Sequence, residues 1–111
     1  MVRFGRPPCI RSISKIPEVD YFKPRGIPLT NLEVVRLRVE ELEALRLVDL
    51  LNLEHEEAAR RMNVSRKTLW RDLKSGRKKI ADALTEGKAI EIKGGNFIHR
   101  KLKEVDVNEK I

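Results

Sequence analysis

The chain has 111 residues, 37% of them charged, with a formal net charge of +7 and a single cysteine, Cys9. That length suits one domain with at most an appendage, and the lone thiol excludes an internal disulfide and fits a reducing cytoplasm. No apolar run approaches the roughly 18 residues of a membrane span, the first residues lack the apolar centre of a secretory signal, and a pI near 9.9 favours a polyanionic partner, nucleic acid before a membrane surface.

Residues 1–31 hold all five prolines, a density that forbids a long helix or a central strand. The expectation is an irregular basic arm. Within it Gly5-Arg6-Pro7 has the form of minor-groove peptides, in which an extended Arg enters an A·T-rich groove, so Arg3 and Arg6 are candidates for such an arm. The alternative is a flexible basic tail. Tyr21 and Phe22 precede a Pro-x-Gly turn and are expected to pack on the domain.

Glu33 to Val39 alternates apolar and polar residues, the period of a short strand. Glu40 to Leu51 carries Leu42, Leu45, Leu47 (or Val48) and Leu50 (or Leu51) on one helical stripe, the supporting helix of a three-helix core, with Asn52 at its end. Its acids Glu40, Glu41 and Glu43 fall in the first turn, where the helix dipole favours them.

Glu54 to Met62 reads as a second helix and 65–84 as a third, separated by Asn63-Val64-Ser65. Asn63 tolerates the left-handed backbone that ends a helix. Val64 plugs the corner, and Ser65 N-caps the next helix. Ala59 is small where the two helices approach, and Leu69 and Leu73 face the core. This is the layout of a helix-turn-helix, whose second helix enters the major groove. From Arg60 to Lys79 nine Lys/Arg stand against one acid, Asp72, a local charge of +8 that exceeds that of the whole chain. A structural helical hairpin with a basic surface is the bland alternative.

Glu86-Gly87 ends the third helix. Lys88 to Gly94 alternates again, and the segments around Val35 and Ile90 are expected to pair. Pairing of a strand with its copy in a second chain would instead make a dimer. The tail after Phe97 is charge-mixed and expected to be frayed or weakly helical. The fold expected is mainly α: a three-helix helix-turn-helix core with a small two-stranded β element and an irregular proline-rich N-terminal arm. Its divisions are the arm at 1–31, the DNA-binding domain at 32–97 and a charged tail at 98–111.

Several stretches together resemble a small prokaryotic family of uncharacterised predicted DNA-binding proteins, domain of unknown function 134. They are Gly5-Arg6-Pro7, Tyr21 to Pro28, Glu41 to Leu47, Glu56-Glu57-Ala58-Ala59, Met62 to Arg66, Arg77-Lys78-Lys79 and Glu86 to Ala89, and the likeness covers about residues 3–97. The resemblance implies a helix-turn-helix like that of sigma-factor region four. Two positions depart from it. Asp72 stands where an apolar residue is expected, which puts helix packing there in doubt. Gly76 stands where the family tends to have alanine, so the long helix is expected to bend.

The function expected is sequence-specific binding of double-stranded DNA by a transcriptional regulator, with helix 65–84 in the major groove. Base contacts are assigned to Ser65, Arg66, Lys67, Trp70, Arg71 and Lys74. Backbone contacts are assigned to Arg60, Arg61, Thr68, Arg77, Lys78 and Lys79. Trp70 either touches a thymine methyl or a sugar, or is buried against the arm or a second chain. Cys9, His55 and His99 are scattered, without metal spacing or a phosphate-cradling loop, so no enzyme and no cofactor are expected. The rival is a protein-interaction module docking on RNA polymerase or another transcription protein, for which Glu54, Glu56 and Glu57 offer an acidic patch. A homodimer on paired half-sites and a cytoplasmic, nucleoid-associated location complete the expectation.

Overall fold

A computed structural model describes residues 9–100. The expected Gly5-Arg6-Pro7 arm, with Arg3 and Arg6, and most of the charged tail lie outside those residues. In chain order the elements are β1 (Arg11–Ile13), β2 (Tyr21–Phe22), a 3-10 turn (Leu29–Asn31), β3 (Val34–Leu37), α1 (Val39–Leu45), a π-turn (Arg46–Leu50), α2 (His55–Met62), α3 (Arg66–Glu86), β4 (Ala89–Ile92) and β5 (Phe97–His99).

Three helices and small sheets make up the fold, but the β content exceeds the two-stranded element expected. Strand β4 lies between β2 and β3, and β1 pairs with β5 in a separate ribbon. The expected pairing of Val35 with Ile90 is present, in parallel register and within the same chain. The prolines do not keep residues 9–31 irregular, because two short strands fit between them. Tyr21 and Phe22 pair antiparallel with Glu91 and Ile90. They are held through the backbone ladder, and Phe22 remains exposed rather than packed. The start of the expected frayed tail, Phe97–His99, runs parallel to β1.

The core has two parts. One is built by Ala44, Leu47, Ala58, Ala59, Met62, Leu69 and Leu73, all buried, with Val64 plugging the corner beside them. The other joins Ile13, Leu37, Val39 and Ile92 across the sheets. Fully burying a Leu or Met stabilises by about 1.5–3 kcal/mol, so Met62, Leu69 and Leu73 alone hold α2 against α3 firmly. The supporting helix is not one regular α-helix. It widens after Leu45, where the backbone N–H of Leu51 donates to the Arg46 carbonyl, an i→i+5 bond. The extra residue rotates the stripe, so that Leu47 is buried while Leu50 is turned out to solvent. Asn52 then takes φ of 60°, ending the segment as expected.

The larger departure concerns charge. Glu40, Glu41, Glu43 and Asp72 are all buried, so the first-turn acids do far more than complement a helix dipole. Asp72 accepts from Arg11 at both oxygens, from Nε and from Nη2, each at 3.0 Å. Arg38 donates to Glu40 and to Glu41, again at 3.0 Å, and its guanidinium lies 3.6 Å from Asp72. Glu41 also accepts from Lys79 at 2.8 Å, from the Ser75 hydroxyl and from the Arg38 backbone N–H at 2.9 Å. Three carboxylates (Glu40, Glu41, Asp72) thus meet three cations (Arg11, Arg38, Lys79), and the cluster is neutral. Beside it Glu43 accepts from Arg46 at 3.0 Å and from the Ser14 hydroxyl at 3.1 Å. Asp72 departs from the apolar residue expected at this core-facing position, and the helix still packs there because Arg11 satisfies both carboxylate oxygens.

Glycines mark two close approaches around this cluster. Helix α3 runs uninterrupted through Gly76. A Cβ at Gly76 would lie 3.1 Å from Leu45 Cδ1 and 3.4 Å from the Glu41 carbonyl oxygen, so the glycine marks the point where α1 crosses α3. A Cβ at Gly95 would fall 1.8 Å from Glu40 Oε1, so any side chain there would force that carboxylate to move. Among the described residues no helix is long and apolar enough to cross a membrane.

Breaking a buried ion pair from one side strands the other charge. Asp72→Ala is expected to cost about 3 kcal/mol in urea unfolding, because Arg11 loses its bidentate partner and keeps only the Cys9 carbonyl and Glu40 at 3.9 Å. Glu41 gives a pH signature. Burial pushes its carboxyl up, but hydrogen bonds from Lys79, Ser75 and Arg38 outweigh that and hold it at about 2, against 4.5 for the unperturbed group. A depressed folded value means stability that is complete above the unfolded value and is lost as pH falls. Stability is therefore expected to decline between about pH 4.5 and 2. The decline should be visibly shallower in Glu41→Gln, as read by urea midpoints across that range.

Candidate nucleic-acid interface

The turn between α2 and α3 is built as the local chemistry dictates. Asn63 ends α2 in the left-handed region with φ of 58°, and its N–H returns to the Ala59 and Arg60 carbonyls. Ser65 sits in extended backbone, and its hydroxyl oxygen accepts from the Thr68 N–H at 3.1 Å. The Ser65 hydroxyl also lies 3.2 Å from the Thr68 hydroxyl. Both polar side chains at the start of α3 are therefore committed to the cap while remaining near the surface.

Helix α3 has two sharply different sides. Leu69, Asp72, Leu73, Gly76 and Ala83 are buried. At 3.6 residues per turn they span about 100° of the helix circumference. Arg66, Lys67, Trp70, Arg71, Lys74, Arg77 and Lys78 are exposed, and they fill an arc of about 140° on the other side. Asp72, the one acid of the segment, points inward and is neutralised by Arg11. The outward arc therefore carries no negative charge of its own.

The nine cations between positions 60 and 79 divide into two groups. Four are engaged internally. Arg60 and Arg61 both donate to Glu57, Arg77 donates to Asp49, and Lys79 belongs to the buried cluster. The other five, Arg66, Lys67, Arg71, Lys74 and Lys78, make no ion pair or side-chain hydrogen bond among the described residues. All five lie on the exposed arc of α3. Of the expected backbone contacts, then, Lys78 lies unpaired on that arc, while Thr68 is half-buried and lies off it, its hydroxyl beside that of Ser65. Arg60, Arg61 and Arg77 are exposed or half-buried but paired, and Lys79 is turned toward Glu41.

Trp70 is 43% exposed, so burial against the arm is not its fate among the described residues. It stacks on His55, with ring centroids 5.9 Å apart and planes 25° apart. The Arg77 guanidinium lies 6.0 Å from the indole centroid. Hydrogen bonds from Arg77 also hold the Asp49 carboxyl below its ordinary range. Sequence reasoning missed both the His55–Trp70 stack and the Asp49–Arg77 pair. The residues of the first are 15 positions apart and those of the second 28, so no local period connects them.

The fold and this surface define a small three-helix protein with minor sheets and one cation-lined helix. The chain belongs to the family described as "Protein of unknown function DUF134", which it matches over residues 1–100. A UPF0251 protein of Methanosarcina acetivorans is 58% identical over 105 residues, covering 95% of this chain and 92% of that one. A UPF0251 protein of Dehalococcoides mccartyi is 60% identical over 92 residues, covering 83% and 79% of the two chains. A longer relative from Methanocella arvoryzae is 51% identical over 96 residues, and there the match takes in 58% of the relative. No solved structure matches the chain.

The cap can be tested without any ligand. Ser65→Ala is expected to lower stability by about 1 kcal/mol in chemical unfolding, and Ser65→Asp to restore most of it.

Proposed function

We propose that this protein binds double-stranded DNA in a sequence-specific way as a transcriptional regulator, with α2 and α3 acting as a helix-turn-helix and α3 lying in the major groove. The observation that carries this reading is the set of five unpaired cations on one exposed arc of α3. A solvated structural helix normally mixes signs or pairs its charges. Here Asp49 and Glu57 are already taken by other cations, and Asp72 is turned inside. The left-handed Asn63, the Ser65 cap and the small Ala59 at the helix crossing support a tight helix pair of this type. The family resemblance, which implies a helix-turn-helix like that of sigma-factor region four, points the same way.

Under this reading Arg66 and Lys67, in the first turn of α3, enter the groove deepest, with Arg71 and Lys74 on the following turns. Arg66 can grip guanine O6 and N7 with two hydrogen bonds, whereas Lys78 meets phosphates. No step of covalent chemistry and no cofactor enter the proposal. The rival, docking on RNA polymerase or another transcription protein, draws on Glu54 and Glu56. Both are exposed and unpaired among the described residues. The five cations weigh more, because they lie on the face that a groove-binding helix presents. Homodimerisation on paired half-sites and association with the nucleoid belong to the same proposal.

Selection of bound fragments from a random duplex library is the first test and supplies the preferred site. On that site Arg66→Ala is expected to weaken binding by about 1–3 kcal/mol, and much less on random duplex. Lys78→Ala should weaken both alike and reduce the dependence of log affinity on log salt by about one. Equal effects of the two substitutions on both duplexes would refute the division of roles. Affinity that ignores salt would refute binding through these cations.

A further inference from the structure

Trp70 is the only tryptophan in the chain, and it stands in the middle of the arc that carries the free cations. An exposed side chain on a binding face ordinarily samples several rotamers and loses that freedom on association. Trp70 is held before any partner arrives. His55, the first residue of α2, stacks on the indole. Arg77, two turns further along α3, lies over the same ring system at 6.0 Å. Arg77 is itself fixed by two hydrogen bonds to Asp49 in the π-turn, from Nε at 3.1 Å and from Nη2 at 2.7 Å. Three separate elements thus converge on one exposed aromatic ring. The i→i+5 widening of the π-turn belongs to the same segment that carries Asp49.

Taking α3 as a major-groove helix, as proposed above, we infer that Asp49, Arg77 and His55 form a brace that pre-orients Trp70 to read a thymine methyl group. The C5-methyl of thymine is the apolar group displayed on the major-groove floor, and an indole fixed in orientation is an apolar surface suited to it. Arg77 and Asp49 then act as positioning residues rather than as a phosphate clamp. Asp49 is an acid close to a polyanion's binding face, which direct DNA contact would disfavour. Its place is explained by its hold on Arg77.

The test uses the duplex selected by the full-length protein and replaces each thymine in turn by uracil, which differs only in the missing methyl. One or two positions are expected to lose about fourfold in affinity, the value of one buried methyl. Trp70→Ala should abolish that sensitivity at the same positions. Asp49→Ala removes no cation, so it should leave random-duplex affinity undiminished while cutting the methyl sensitivity by at least half. In the free protein, fluorescence anisotropy decay of the sole tryptophan should gain a fast local component in Asp49→Ala and in Arg77→Ala. Selective binding with no thymine-to-uracil effect, or an effect that survives Trp70→Ala, overturns the inference alone. So does an Asp49→Ala protein with full methyl sensitivity and unchanged anisotropy. A protein that binds no duplex, or binds every duplex equally, overturns the DNA reading and this inference together.

Discussion

A neutral cluster of buried charge sets the geometry of this molecule. Glu40 and Glu41 at the start of α1, Asp72 and Lys79 on α3, Arg38 before α1 and Arg11 on β1 come from four places in the chain and meet at hydrogen-bond distance. Buried ion pairs add little net stability over apolar residues of the same volume, because desolvation offsets most of the Coulombic gain. A displaced member, however, costs several kcal/mol, since a charge is then left in the interior without a partner. Such a cluster fixes orientation more than it fixes stability. Turning α3 about its axis would carry Asp72 away from Arg11 and Ser75 and Lys79 away from Glu41. The helix therefore has one acceptable rotation.

That rotation decides which side chains face outward. With Asp72 and Leu73 inside, Arg71 and Lys74 must be outside, and the other exposed cations follow from the period of the helix. The arrangement also sorts cations by task. Those within reach of an acid are consumed in the frame, as with Arg77 on Asp49 and Lys79 on Glu41. The rest are left on one surface. The outward field of α3 is consequently stronger than the chain's net charge suggests, because Asp72 is turned inside and Asp49 and Glu57 are paired with other cations.

Much of the helical part was legible in the sequence, and the reasons are local. Asn63 and Ser65 act within one turn of the chain, and Leu69 and Leu73 follow from a period of 3.6 residues. Gly87 ends α3 in the left-handed region, as a glycine after a helix does. Val35 and Ile90 pair as their alternation implied. The charged interior was not legible. An acid near a helix start reads as a dipole complement unless its distant arginine is known, and Arg11 lies 61 positions from Asp72. Strands of two or three residues, such as Tyr21–Phe22 and Phe97–His99, are too short to show a period. The π-turn escaped for a related reason. Its widened hydrogen bonding changes which of Leu47 and Leu50 is covered, but leaves the count of leucines as it was.

The ribbon of β1 and β5 has a consequence for how the protein is made. Arg11 pairs with Phe97 in register, so the first strand has no ladder partner until nearly the whole described chain exists. Contacts of such long sequence separation close late and slowly. On the ribosome, α1, α2 and α3 are complete well before β5 emerges, yet Arg11 is secured on its strand only afterwards. Closing of this ribbon therefore waits for the last strand, whereas the contacts among α1, α2 and α3 need only the chain up to residue 86. Premature termination before residue 97 would leave a polypeptide rich in positive charge and lacking the strand that pairs with β1.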